Sequence, residues 1–259
     1  PSPPPLPPSN PTTTVNVTSV SQLISALANL QSGQTISLAA GMYNLSGVTD
    51  ALYVPQGITN WTIRGATGDR DDVVIRGAGM SGSVLFGFWI GNSTDGTIAD
   101  LTIDGVQEHG IIVNPGSDDL LVHNVRVVDS GGQSIKVNPT GSHRGIVEYS
   151  VLEYRTTDSD NYTNGMSSHA SDGWSIRYNL FRNFLSPTGQ GLAGPVILSW
   201  NGSKNTVVEG NTFINVARGV ALGMNDVAGG FDHQGGMISN NVFYRDPSLP
   251  QEVDVPIMV

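Results

Sequence analysis

The chain is 259 residues long, 38% hydrophobic, and carries a formal net charge of −10 with only two lysines, Lys136 and Lys204. That balance argues against a nucleic-acid binder, which needs a basic face. No apolar run reaches 18 residues, which leaves no helical membrane span, and no cysteine is present to report a redox compartment.

Pro1 to Pro11 is proline-rich and Thr12 to Thr14 follows, so residues 1–14 read as a polyproline-type linker ahead of one elongated domain over 15–259. Such a tether displays a module from a wall or a second domain, which implies an extracellular or cell-surface protein. Sequons at Asn16, Asn44, Asn60, Asn92, Asn161 and Asn201 would accept glycans in a eukaryotic secretory route. The one helix expected lies over 19–30. Ser19 and Gln22 form a capping box, Leu23, Ile24, Leu27 and Leu30 line one face, and Gly33 stands past its end.

Short strands follow at Thr35–Leu38, Gly41–Tyr43, Trp61–Ile63 and Val73–Ile75. The acidic stretch Asp69–Asp72 offers clustered oxygens of the kind Ca²⁺ takes, against the plainer reading of a solvated turn.

From Ile98 onward the chain repeats. Ile98, Val122, Val147, Ile176, Val208 and Ile238 occupy equivalent positions at spacings of 24, 25, 29, 32 and 30 residues. The runs Trp174-Ser-Ile-Arg-Tyr-Asn-Leu-Phe181, Thr206-Val-Val-Glu-Gly-Asn-Thr-Phe213 and Gly236-Met-Ile-Ser-Asn-Asn-Val-Phe243 share one pattern. A period of that length built from alternating apolar residues marks a β-solenoid. The expected fold is all-β, a right-handed parallel β-helix with the helix over 19–30 capping one end. Equivalent strands would lie ~4.8 Å apart. Asn179, Asn211 and Asn241 would then stack as a hydrogen-bonded ladder, and Phe181, Phe213 and Phe243 would stack in the core.

A second strand follows each repeat: Gly110–Asn114, Ser134–Asn138, Gly165–His169, Val196–Trp200 and Val220–Met224. With Ile111, Ile135, Met166 and Ile197 inward, alternation turns two columns outward. One is Ile112, Lys136, Ser167, Leu198, Leu222; the other is Asn114, Asn138, His169, Trp200, Met224. This places Lys136 and His169 on neighbouring turns beside Asn138 and Trp200. Together they supply a base, polar groups and an aromatic platform for a sugar ring. The plain alternatives are a solvated lysine, a histidine that caps a bend and a packing tryptophan. Outward Leu198 and Leu222 imply a covered face, and the longer spacing after Val147 implies projecting loops near Arg155–Thr163 and Leu185–Gly194. Arg144, Arg177, Arg182 and Arg218 are placed near this side, where an arginine would pair with a substrate carboxylate. The last strand, Val253–Val259, has no evident cap, which implies further turns or end-to-end self-association.

The coil pattern, the helix followed by Gly33-Gln-Thr-Ile36 and Gly41-Met-Tyr43, and the Ile-Arg-x-Asn-x-Phe and Val-Glu-x-Asn-x-Phe turns resemble the pectin-lyase-like superfamily. Asn164–Asn179 and Arg218-Gly-Val-Ala-Leu-Gly resemble a group of bacterial right-handed β-helix repeat proteins. The resemblance implies a polysaccharide lyase, hydrolase or epimerase. Pectic hydrolases carry paired aspartates where this chain has Thr163-Asn-Gly-Met-Ser167, so Asn164 and Ser167 replace the acid and base. The Asp-Pro-His-Asp signature of alginate epimerases is missing. In chondroitinase-B-like and alginate lyases a lysine base precedes an Ile-x-x-Asn turn, and His169 stands similarly before Ile176-Arg-Tyr-Asn179; the arginine expected one coil later falls near Gly223.

The resulting expectation is a carbohydrate-active protein that cleaves an acidic, uronate-containing glycan by β-elimination. His169, Lys136 and Arg177 would act in catalysis, and Asn138, Asn164, Trp200 and Arg218 in substrate binding, with an arginine or Ca²⁺ holding the carboxylate. The rival reading is a glycan-binding or structural module without catalysis.

Overall fold

The computed structural model describes residues 3–6, 13–140, 142–158, 160–225, 230–249 and 255–259. It is a right-handed parallel β-helix whose strands pair with their equivalents in neighbouring coils, all in parallel. The first wall runs from Thr13–Val17 through Gln34–Leu38, Thr62–Gly65, Thr97–Val106, Leu121–Ser130, Ile146–Glu148, Ser175–Arg177 and Val207–Glu209 to Met237–Ser239. The second is joined to it through the two ten-residue strands Thr97–Val106 and Leu121–Ser130, and continues through Val151–Glu153, Leu180–Arg182, Thr212–Ile214 and Val242–Tyr244. The third wall is a separate eight-stranded sheet from Leu52–Tyr53 to Val255–Met258.

The repeat read from the sequence is the pairing register. Ile98 pairs with Val122, Val122 with Val147, Val147 with Ile176, Ile176 with Val208, and Val208 with Ile238. These side chains point inward because strand alternation leaves that face to the core, where Val122, Val147 and Val208 are fully buried.

The corner between the first and second walls carries the ladder. Nδ2 of Asn179 donates to Oδ1 of Asn211 at 3.0 Å, and Nδ2 of Asn211 to Oδ1 of Asn241 at 3.0 Å. Each oxygen also accepts the backbone N–H of the preceding coil's corner, Ser150 to Asn179 and Asn179 to Asn211, both at 2.9 Å. The ladder thus satisfies backbone groups that a buried bend would otherwise orphan. Beside it Phe181, Phe213 and Phe243 stack with centroids 5.0 and 4.5 Å apart. The residue before each ladder position is left-handed: Tyr149, Tyr178, Gly210 and Asn240 have φ of 51, 57, 64 and 55°. Glycine and asparagine take that conformation readily, whereas a tyrosine pays about 1–2 kcal/mol for it.

The helix is Val20–Ala28 with Ser19 as N-cap. Gln22 N–H donates to Ser19 Oγ at 3.3 Å, while Gln22 Oε1 reaches past Ser19 to the N–H of Thr18 at 2.8 Å. Leu23, Leu27 and Leu30 are buried on the core, which places this helix over the first coils as expected of a cap.

Two expectations are corrected, and a third is met over the residues described. The first strand begins at Thr13, inside the stretch read as linker, because Thr13 and Thr14 pair with Gln34 and Thr35. Within that stretch residues 3–6 lie against the first wall, with the Pro4 carbonyl 2.9 Å from His123 Nε2; residues 1–2 and 7–12 are outside the described residues. Where Ile197–Trp200 pairs with Arg218–Leu222, Leu198 faces Ala221 and Ser199 faces Leu222. The register is therefore one residue off the alignment by sequence, and Leu222 packs against the core rather than continuing the outward column. The strand expected at Val253–Val259 is Val255–Met258, with 253–254 outside the described residues.

Asn211 is the ladder position with the most to lose, since its amide serves four partners while fully buried. Asn211→Ala should destabilise the protein by about 3 kcal/mol, because several buried donors and acceptors lose their partners together. The half-exposed Asn241→Ala should cost less; urea unfolding followed by circular dichroism measures both.

Candidate functional site

The third wall builds the site. Ile112, Lys136, Ser167 and Leu198 are cross-strand neighbours on its outward face, and Ala221 completes the column. All are buried even though they point away from the core: Lys136 is 9% exposed and Leu198 6%. Loops cover the face, as outward Leu198 implied; Leu222, the other leucine of that expectation, faces the core. Tyr162, on the loop after the second-wall strand Val151–Glu153, lines two adjoining clefts. One, of about 530 Å³, is bounded by Gln107, Glu108, His109, Gln133, Lys136 and Asp160; the other, of about 130 Å³, by Asn164, Ser167, Leu198, Trp200 and Arg218.

Lys136 and His169 meet, with Nζ and Nε2 2.6 Å apart. The same Nε2 accepts the indole N–H of Trp200 at 3.1 Å, with the two rings 4.8 Å apart. An indole nitrogen can only donate, so Nε2 is the bare nitrogen of a neutral ring and Nδ1 carries the proton. Asn201 lies 2.8 Å from Nδ1, and its amide oxygen is the atom that can accept there, an orientation set by the network. Burial first, and then the charge of Lys136, push the His169 imidazolium down to a pKa of about 4, against a smaller opposing pull from Asp232. Burial likewise brings the Lys136 ammonium down to about 8. Neighbouring His109 falls to about 4 from burial and from Lys136, and stacks on Phe86 at 5.7 Å. The arrangement is one amine, ionisable near neutrality, held by a neutral acceptor in a dry floor.

Asn201 is itself anchored from the following coil. Asp232, 8% exposed, accepts the backbone N–H groups of Asn201, Met224 and Asn225. These donors hold its carboxylate below the usual range although burial opposes them. The sequence reading singled out neither Asp232 nor His109, and treated Asn201 only as a sequon. His109 was within reach, since it directly precedes the aligned strand Gly110–Asn114. Asp232 was not, because it reaches the site through the backbone N–H of Asn201, 31 residues away in sequence.

The other expected residues divide. Arg218 lines the smaller cleft and donates to the carbonyls of Ala193 and Leu192 at 2.6 and 3.2 Å. No carboxylate among the described residues pairs with it. Asn164 lines the same cleft, but its amide is committed to the Pro195 carbonyl. Asn138 donates to Asn114 Oδ1 at 2.9 Å, a step in an outward ladder.

Arg177 does not belong to the site. It is on the first wall, paired with Glu148 at 2.7 Å, since its strand continues the Val147–Ile176 register rather than the Lys136–Ser167 one. Arg182 pairs with Glu153 and Arg144 with Asp118 and Asp119, so neither joins it. In the acidic turn, Asp69 accepts the N–H of Asp71 at 3.0 Å, and Asp71 faces Arg126 at 3.4 Å. Among the described residues no cluster of three or more histidine and carboxylate side chains is placed to hold a metal ion, and no helix is long and apolar enough to cross a membrane.

Solved structures share this parallel β-helix. A polygalacturonase from Erwinia carotovora subsp. carotovora superposes with a TM-score of 0.62 at 16% identity, over 95% of this chain and 83% of that one. A pectate lyase from Bacillus sp. N165, solved in complex with trigalacturonate, superposes with a TM-score of 0.57 at 14% identity, over 94% and 89%. No family model and no curated protein matches the chain. At these identities the likeness is one of fold.

With two lysines in the chain, Lys136 can be watched directly. Its ¹⁵N side-chain resonance should titrate near pH 8, well below the ordinary 10.5. A Trp200→Phe substitution, which removes the indole donor, should change the His169 ring shifts without unfolding the wall.

Proposed function

We propose that the chain binds an acidic polysaccharide along the third wall and cleaves it by β-elimination at a uronate residue, with Lys136 as the base. The observation that carries this reading is the buried Lys136 amine, which lines the larger cleft and is hydrogen-bonded to a neutral His169. A carboxylate lowers the acidity barrier at the adjacent carbon once its own charge is neutralised. Neutral Lys136 takes the C5 proton, the C5–H electrons form the C4–C5 double bond, and the C4–O bond breaks with its electron pair going to the departing sugar oxygen. The ammonium formed on Lys136 donates to His169 Nε2, and its extra proton passes to the departing oxygen directly or through water, which releases that sugar as a hydroxyl and returns the amine to its neutral form. Arg218, without a carboxylate of its own and facing the adjoining cleft, is the group to hold the uronate. Trp200 and Tyr162 line the path as ring platforms. A hydrolytic reading is less favoured, since the column beneath the clefts carries Ser167 and Lys136 and no paired carboxylates.

The substrate class expected is thus an acidic glycan presented outside the cell. Incubation with alginate, pectate, glucuronan and glycosaminoglycans should generate absorbance at about 235 nm from the unsaturated uronate on at least one polymer. The base must be neutral to act, so the rate should climb as pH rises through about 8. Lys136→Met should lower it about 100-fold or more. A flat trace over the whole panel would overturn the lyase reading; retardation of the protein in gels containing the same polymers would then assign the wall to glycan binding.

A further inference from the structure

On the first wall, away from the site, His123 is 2% exposed and stands between two hydrogen-bond acceptors. Its Nδ1 lies 2.8 Å from Glu148 Oε1, and its Nε2 lies 2.9 Å from the backbone carbonyl of Pro4. A carbonyl oxygen can only accept. Glu148 is also an acceptor, since its other oxygen takes both Nε and Nη2 of Arg177, at 2.8 and 2.7 Å. A neutral imidazole has one N–H, so both contacts are made together only when the ring carries a proton on each nitrogen.

Aromatic rings flank the imidazole that meets the Pro4 carbonyl. The Tyr149 ring meets His123 edge-on at 5.6 Å and stacks on Tyr178 at 5.4 Å, which makes a short aromatic track across successive coils. Both tyrosines hold the left-handed corner conformation that Asp100, Asn124, Gly210 and Asn240 hold in the other coils. Strain of that kind, kept at a surface by bulky residues, is a mark of use. Residues 3–6 are Pro-Pro-Pro-Leu; Pro3 and Leu6 are half-buried while Pro4 and Pro5 are exposed. That is the three-residue period of a polyproline II helix laid along a surface. Such segments dock on aromatic-lined surfaces at low entropic cost, and their carbonyls take hydrogen bonds from the groove.

We propose that the outer face around His123, Tyr149 and Tyr178 is a docking surface for a proline-rich extended segment, filled by residues 3–6 of the same chain and released on loss of one proton from the His123–Glu148 pair. The groups that face the imidazole are few. Glu148 and, through it, Arg177 come from the following coils; Ala99 is its cross-strand neighbour in the preceding one; Tyr149 covers its edge; and residues 3–6 bring no side-chain charge. When the ring loses a proton it can keep one acceptor only. Glu148 is fixed within the wall, so the Pro4 contact is the one that breaks. Docking therefore follows the proton on this pair, and the docked-to-free ratio falls as that proton leaves.

The chain has no cysteine, so Pro5→Cys at an exposed position takes a single nitroxide on the full-length protein. Paramagnetic broadening of the Tyr149 and Tyr178 ring signals should be strong at pH 5 and should fade towards pH 8. His123→Phe in the same labelled chain should abolish it at pH 5. Broadening absent throughout the range, unchanged by pH, or retained in a folded His123→Phe protein would overturn the proposal. The pH series on the unmodified histidine needs no variant, and decides the matter if His123→Phe does not fold.

Discussion

Everything in this molecule depends on the strand-to-strand spacing of a parallel ladder. Successive coils repeat at ~4.8 Å, which brings chemically identical side chains to the distance at which they satisfy one another. Asparagine is the residue that benefits most, since one amide can donate forward, accept from behind and still serve a backbone group. The buried corner between the first two walls is stable only because Asn179, Asn211 and Asn241 do this in file. The stacked phenylalanines beside them use the same spacing for ring contact. An isolated coil has neither; each depends on its neighbours, as in other repeat architectures.

The same rule that builds the core also builds the outer wall, where alternation forces every second residue away from it. In an exposed wall such positions are solvated and chemically dull. Here loops close over them, and the consequence is electrostatic. Lys136 loses water without gaining a carboxylate, and its pKa falls towards neutrality. His169 is prevented from sharing the charge because Trp200 points a donor at the only nitrogen that faces Lys136. The arginines of the first two walls show the opposite outcome. Arg126, Arg177 and Arg182 each find a carboxylate on an adjacent coil and are locked into the scaffold. Arg218 instead donates to backbone carbonyls and lines a cleft.

Much of this was legible in the sequence, and the legible part is what repetition controls. The positions Ile98, Val122, Val147, Ile176, Val208 and Ile238 pair as read, and so do the asparagine and phenylalanine columns, because a register repeated over several coils shows its own period. The meeting of Lys136 and His169 followed from aligning second strands by the same logic. Where the coil length changes, the period stops helping. The coil from Leu198 to its partner Ala221 is one residue shorter than the simple alignment allowed, and Leu222 turns inward as a result. Arg177 was misplaced for a different reason: it belongs to the strand before the corner, and sequence distance to His169 says nothing about which of three walls a residue occupies. Asp232 left no signal, since a carboxylate that receives backbone N–H groups needs no patterned partner.

The site is assembled across the grain of the fold. Lys136, His169, Trp200 with Asn201, and Asp232 come from successive coils, each holding the next through one or two side-chain or backbone contacts. A site gathered within one coil would survive as long as that coil stayed wound. One strung along the axis is only as durable as the least protected link, so a transient local opening of any of these coils disconnects the amine from its supports while the remainder stays zipped. Hydrogen-exchange protection in this stretch, more than global stability, therefore sets the lifetime of a competent wall.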